Sequence, residues 1–220
     1  MLRLFVALVL GLAATCAIAR ADAPDLSSPK AAAKSLYQAV DRGDGEAIRA
    51  VFFTETDAQR QLADAYAEMI LATKRLADVA KTKYAGAGAA DALALGAVPA
   101  EDIKRIDAAE LKQDAPDRAT LALPLATRPM TLRKTDRGWQ LVISDFAGGA
   151  PDRIDAQIEM TRQITAAVTE ITDGIEADKY PTPHDAEQAI QHRMNEVMTR
   201  AVRKNLPTTG ATTQPTTSGS

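Results

Sequence analysis

Two phenols, one indole and one carboxylate are the side chains of this chain best suited to build a site. Asp145 follows an alternating apolar run, where a strand end can open into a cavity. Its carboxylate could accept a proton while Tyr37 or Tyr66 stabilised the developing oxyanion. An apolar hollow would raise its pKa toward a useful value. Trp139 alternates with Leu141 and Ile143, which marks it as core, although an indole can also line a pocket. Tyr37, Tyr66, Trp139 and Asp145 are therefore candidate ligand-binding residues. None is assigned a catalytic role, because Ser144-Asp145 reads equally well as a strand end entering a loop.

Other chemistry is sparse. The two histidines, His184 and His192, lie two helical turns apart, with neither an HxxxH nor an HExxH spacing, so no metal site is expected. Capping and surface roles account for both. No serine stands in a Gly-x-Ser-x-Gly elbow. The Gly-Ala stretch from Ala85 to Ala90 is followed by no Lys-Ser/Thr and reads as a loop rather than a phosphate cradle. Thr161, Thr165, Thr169 and Thr172 form a ladder beside an isoleucine stripe, as threonines do when each packs its methyl and bonds a carbonyl one turn back. No cofactor is expected.

The N-terminus bears on the compartment. Met1-Leu2-Arg3 is a short basic start, Leu4 to Ala14 is an apolar run too short to span a bilayer, and small residues follow through Ala23. This layout is that of a secretory signal peptide, assigned to residues 1–21. Cleavage is expected after Ala19 or Ala21, because a cut after Ala23 would leave Pro24 in the protease cleft. Cys16 is the only cysteine. The Ala13-Ala14-Thr15 before it departs from a lipobox, so lipidation is not expected, and the mature chain has no thiol for a disulfide.

The mature chain is thus expected to be exported, periplasmic or extracellular, with no stable membrane insertion after cleavage. Loss of Arg3 and Arg20 takes the formal charge from −3 to −5. Such a chain has no basic footprint for nucleic acid or anionic lipid. About 200 residues remain, enough for one medium domain plus additions. With aromatics at 4% of the chain, its core must come from Leu, Ile, Val, Met and Ala.

Ser28-Pro29 reads as the cap and first residue of a helix with Ala33, Leu36, Tyr37 and Val40 on one face. Gly43 stops it, and Asp44-Gly45 starts a short helix burying Ile48, Val51 and Phe52. Thr56 and Gln59 form a capping-box pattern for a long helix to about Tyr84. A short helical piece is placed near Glu101 to Arg105. Runs of period two follow: Ala109 and Leu111; Ala119, Leu121 and Leu123; Met130 and Leu132; Trp139, Leu141 and Ile143. Turn residues separate them at hairpin distances, giving an antiparallel meander of three or four strands. Helix then returns, with Asp152 as a candidate cap and a stripe from Ile154 to Ile175. Thr182-Pro183 starts a last helix with Ala186, Ile190, Met194, Val197 and Ala201 in register. The Thr/Pro/Ser/Gly tail of residues 206–220 has no apolar period and is expected to be disordered.

Two stretches carry a resemblance. Ser28-Pro29-Lys30-Ala31-Ala32-Ala33 runs through an Asp41-Arg42-Gly43-Asp44 turn to Phe53, and Thr131-Leu132-Arg133-Lys134-Thr135-Asp136-Arg137-Gly138-Trp139-Gln140-Leu141 forms a late hairpin. Over roughly residues 28–147 the chain resembles the nuclear-transport-factor-2-like, or cystatin-like, α+β superfamily, especially its short secreted bacterial members. The resemblance implies a curved sheet wrapped around helices with a cone-shaped hollow. Enzymatic members, such as polyketide cyclases and steroid isomerases, place an acid and a tyrosine there, and many others are noncatalytic. No catalytic motif of the family matches here residue by residue.

The expected fold is α+β: N-terminal helices and a small cone-like antiparallel meander over 28–147, then a C-terminal helical hairpin over 150–205. The two C-terminal stripes must pack on each other and on the long helix, or on a second copy of the chain. The function that requires no missing motif is a noncatalytic exported module for a small apolar ligand or an envelope partner. The alternatives are a cone-cavity enzyme of isomerase or cyclase type, and a structural or oligomerising helical protein.

Overall fold

The computed structural model describes residues 23–85, 100–124, 129–147 and 153–205. The readings on the signal peptide, Cys16, the Gly-Ala stretch after Ala85, Asp152 as a cap and the tail lie outside the described residues. Among those described, seven helices and a five-stranded mixed sheet make an α+β fold.

Helix α1 (Pro29–Arg42) starts where Ser28 accepts the N–H of Ala31 and ends at Gly43, whose φ of 68° lets its N–H close on the carbonyls of Ala39 and Val40. Asp44 caps α2 (Gly45–Val51) by accepting from Ala47 N–H. Strand β1 (Phe52–Phe53) leads to α3 (Asp57–Lys83), opened by the complete Thr56/Gln59 capping box. After α4 (Ala100–Ala108) come β2 (Glu110–Ala115), β3 (Arg118–Ala122), β4 (Met130–Thr135) and β5 (Gly138–Val142). Then follow α5 (Ile143–Ala147), α6 (Ile154–Glu176) and α7 (Pro183–Asn205).

Strands β2 to β5 are the expected meander, and β1 adds a fifth strand parallel to β5, in the order β1-β5-β4-β3-β2. Its two residues are too few to show a period, so Phe52 reads in the sequence as the end of α2. The register sets Phe52, Leu141, Leu132, Ala119 and Gln113 in one row across all five strands. The first four are buried.

Helices α1 and α2 lie against this inner face, and Ile48, Ile106, Leu62 and Ile143 complete one core with it. A second core forms where α3, α6 and α7 meet, from Leu76, Ala80, Val168, Ile171, Ile175 and Ile190. Helix α3 is long enough to serve both, at about 1.5 Å rise per residue. Burying these side chains contributes about 25 cal/mol per Å² of apolar area removed from water.

Two expectations change at the sheet. Ile143 is not on the last strand but opens α5, with its side chain still buried. Leu111 shares the face of buried Leu121 yet remains 42% exposed, because β2 lies at the sheet edge and is uncovered along nearly its whole length. At the head of α6, Arg153 holds the cap position with no side-chain hydrogen bond. Two members of the threonine ladder bond back as expected: the hydroxyls of Thr165 and Thr172 donate to the carbonyls of Thr161 and Val168, at 2.9 and 2.8 Å.

Candidate functional site

Tyr66 projects from the middle of α3, half-buried. Its ring meets Phe146 edge-on at 6.0 Å between centroids, and Phe146 in turn lies 5.2 Å from Phe52. The Tyr66 hydroxyl donates to the carbonyl of Ala147 at 3.4 Å. Burial raises the pKa of this phenol, and a hydrogen bond with Thr161 offsets part of the rise. Tyr66 is therefore held as a neutral donor at the junction of α3, α5 and α6.

Asp145 lies in the first turn of α5, two residues before Ala147, and is exposed. Trp139 is 6% exposed and sits within the first core, where its cross-strand neighbour is Lys134. Tyr37 is half-buried on α1 and packs against the same core. An acid facing a phenol is not assembled from Asp145 and Tyr66.

Sequence reasoning missed a buried polar group nearby. The Gln140 carboxamide donates to the carbonyls of Ala50 and Phe52, at 2.9 and 3.1 Å, and accepts from the Thr135 hydroxyl at 3.0 Å. It ties the end of α2 and the short β1 to β5. The available signal was a polar residue inside Trp139-Gln140-Leu141, where a half-buried strand alternates but all three of these are buried. On the same outward side, Arg133 spans from the Phe53 ring, at 4.8 Å, to Glu55, at 2.5 Å.

Two grooves open on the helical side. One, of about 270 Å³, runs between α6 and α7 past Glu170, Tyr180, His192, Arg193 and Glu196. The Arg193 guanidinium bonds Glu170 and, at 2.6 Å, Glu196. That pairing draws the Glu196 carboxyl below its ordinary range and raises the guanidinium further. Arg193 thus stands already paired with acids of its own chain. The other groove, of about 440 Å³, lies between α3 and α6 beside Asp78, Val79, Thr82, Lys83 and Glu176. Both are open and lined by charges that pair locally.

His184 and His192 are exposed on α7, next to Glu187 and Glu196. Among the described residues no group of three or more His, Cys, Asp or Glu is placed to hold a metal ion, and no helix is long and apolar enough to cross a membrane.

The chain matches no protein-family model, no curated protein and no solved structure.

Proposed function

We propose that the mature chain is an exported, noncatalytic module that binds a protein partner in the cell envelope. The observation that carries this reading is the row Phe52, Leu141, Leu132 and Ala119: the inner face of the sheet is filled by buried side chains of the chain itself. A ligand hollow would need that face. The exposed position of Asp145 weakens the enzymatic alternative further.

The nuclear-transport-factor-2-like superfamily is proposed as the kinship of residues 28–147, with 150–205 as a helical extension. What supports it is local: Ser28 caps α1, Gly43 ends it, Asp44 caps α2, and Gly138-Trp139 starts β5 in the last hairpin. Export rests on the basic, apolar and small-residue layout of residues 1–21.

Native mass spectrometry of the protein released from its own envelope tests the reading. The expected spectrum shows a chain starting at Arg20 or Asp22, carrying no small molecule and present in part as a complex with a second protein. A stoichiometric small-molecule adduct, or an intact Met1 to Ala19 on the soluble chain, would overturn it.

A further inference from the structure

Strand β2 ends the sheet order, and among the described residues it has a partner on one side alone. The other edge presents backbone N–H and C=O groups ready to pair. Its sequence, Glu110-Leu111-Lys112-Gln113, runs regularly until a bulge between Gln113 and Ala115 breaks the register. Leu111 faces Leu121 across the β2–β3 pair, and Leu121 faces Met130 across β3–β4. Leu121 is fully buried and Met130 is packed against the core, so a continuous apolar row runs to the edge and stops at Leu111, 42% exposed.

We propose that this edge pairs with the same edge of a second copy of the chain, antiparallel and centred on Leu111. A two-fold axis through that position sets Leu111 against Leu111. It sets Glu110 of each copy against Lys112 of the other, twice. The pairing is self-complementary, as a closed two-fold interface requires, and it continues the apolar row from Met130 of one copy to Met130 of the other.

Charge selects the register. Centring instead on Lys112 would put lysine against lysine and Glu110 against Asp114. A shift toward the turn meets the bulge and then Pro116, which has no N–H to give. The charges that deter unrelated strands therefore admit one self-pairing. Four residues of edge make a small interface, so the dimer is a dissociable one.

Sedimentation velocity of the mature chain from about 1 µM to about 1 mM spans the range in which such a dimer forms. The expected result is a monomer–dimer equilibrium. Glu110→Lys or Lys112→Glu alone places like charges in both facing pairs and weakens it by about tenfold or more. The double variant Glu110→Lys/Lys112→Glu restores it, which a folding defect would not do. Mixing the two single variants gives a heterodimer, because lysine then meets glutamate at both positions. A chain that stays monomeric throughout, or a dimer that neither single variant weakens, overturns the proposal. So does a dimer that is lost on Met198→Lys, at the exposed methionine of α7, and survives both β2 variants.

Discussion

The carbonyl of Leu26 accepts a hydrogen bond from the N–H of Trp139 at 2.7 Å, tying the segment ahead of α1 to the start of β5. The contact needs a glycine beside it. Gly138 has a φ of 108°, and a Cβ there would come within 2.4 Å of that same Leu26 oxygen. Gly138→Ala is expected to cost about 1–3 kcal/mol from backbone conformation, before the clash is added. Chemical denaturation checks this. Unchanged stability would mean that Leu26 does not lie on the hairpin.

A second close approach fixes the α6–α7 connection. A Cβ on Gly174 would come within 2.5 Å of the Tyr180 ring, and the Tyr84 hydroxyl donates to the Tyr180 carbonyl at 2.7 Å. Gly174→Ala should lower the melting temperature. In the background of Tyr180→Ala, which removes the ring, the same change should cost much less. Additive losses in the double-mutant cycle would contradict the packing.

Gln140 should prove costly to replace. Gln140→Met keeps the length of the side chain but leaves the carbonyls of Ala50 and Phe52 without its two N–H donors. The expected loss is about 1–3 kcal/mol for groups left unpaired in a buried site. Amide exchange should show β1 and the end of α2 loosening first, since these are what Gln140 holds.

The Arg193–Glu196 pair makes the helical side acid-sensitive. Hydrogen bonding from Arg193 holds the Glu196 carboxyl below its ordinary value in the folded chain. A depressed folded pKa contributes stability that is fully present above the unfolded glutamate value and is lost as pH falls through the folded one. Melting temperatures of the parent and of Glu196→Gln should therefore differ at neutral pH and converge in acid. A gap that widened on acidification would reverse the sign and contradict the pairing.

Local signals were legible in the sequence, and edges were not. Ser28, Gly43, Asp44 and the Thr56/Gln59 box act through neighbours within four residues, so their chemistry shows in a single stretch of chain. The alternation that marks Trp139 as core is matched by its burial. The same alternation misleads at Leu111, because period two states which residues share a face and not whether that face is covered. Strand β1 is too short to carry a pattern.

At the candidate site, Tyr66 stands in a buried setting and Asp145 does not, because the chain turns into α5 at Ile143. No local pattern distinguishes a strand's last residue from a helix's first when both are apolar. The Glu170–Arg193 and Gln140–Ala50 bonds join residues far apart in the chain, and spacing within one element does not report them.

The claim that the sheet's inner face is core rather than ligand hollow is tested most directly at Ala119, fully buried between Gln113 on β2 and Leu132 on β4. Thermal unfolding of Ala119→Leu measures whether the space beside it is filled. The account predicts a loss of about 1–3 kcal/mol from overpacking, seen as a melting temperature several degrees lower. An unchanged or raised melting temperature would show room for the larger side chain and contradict it.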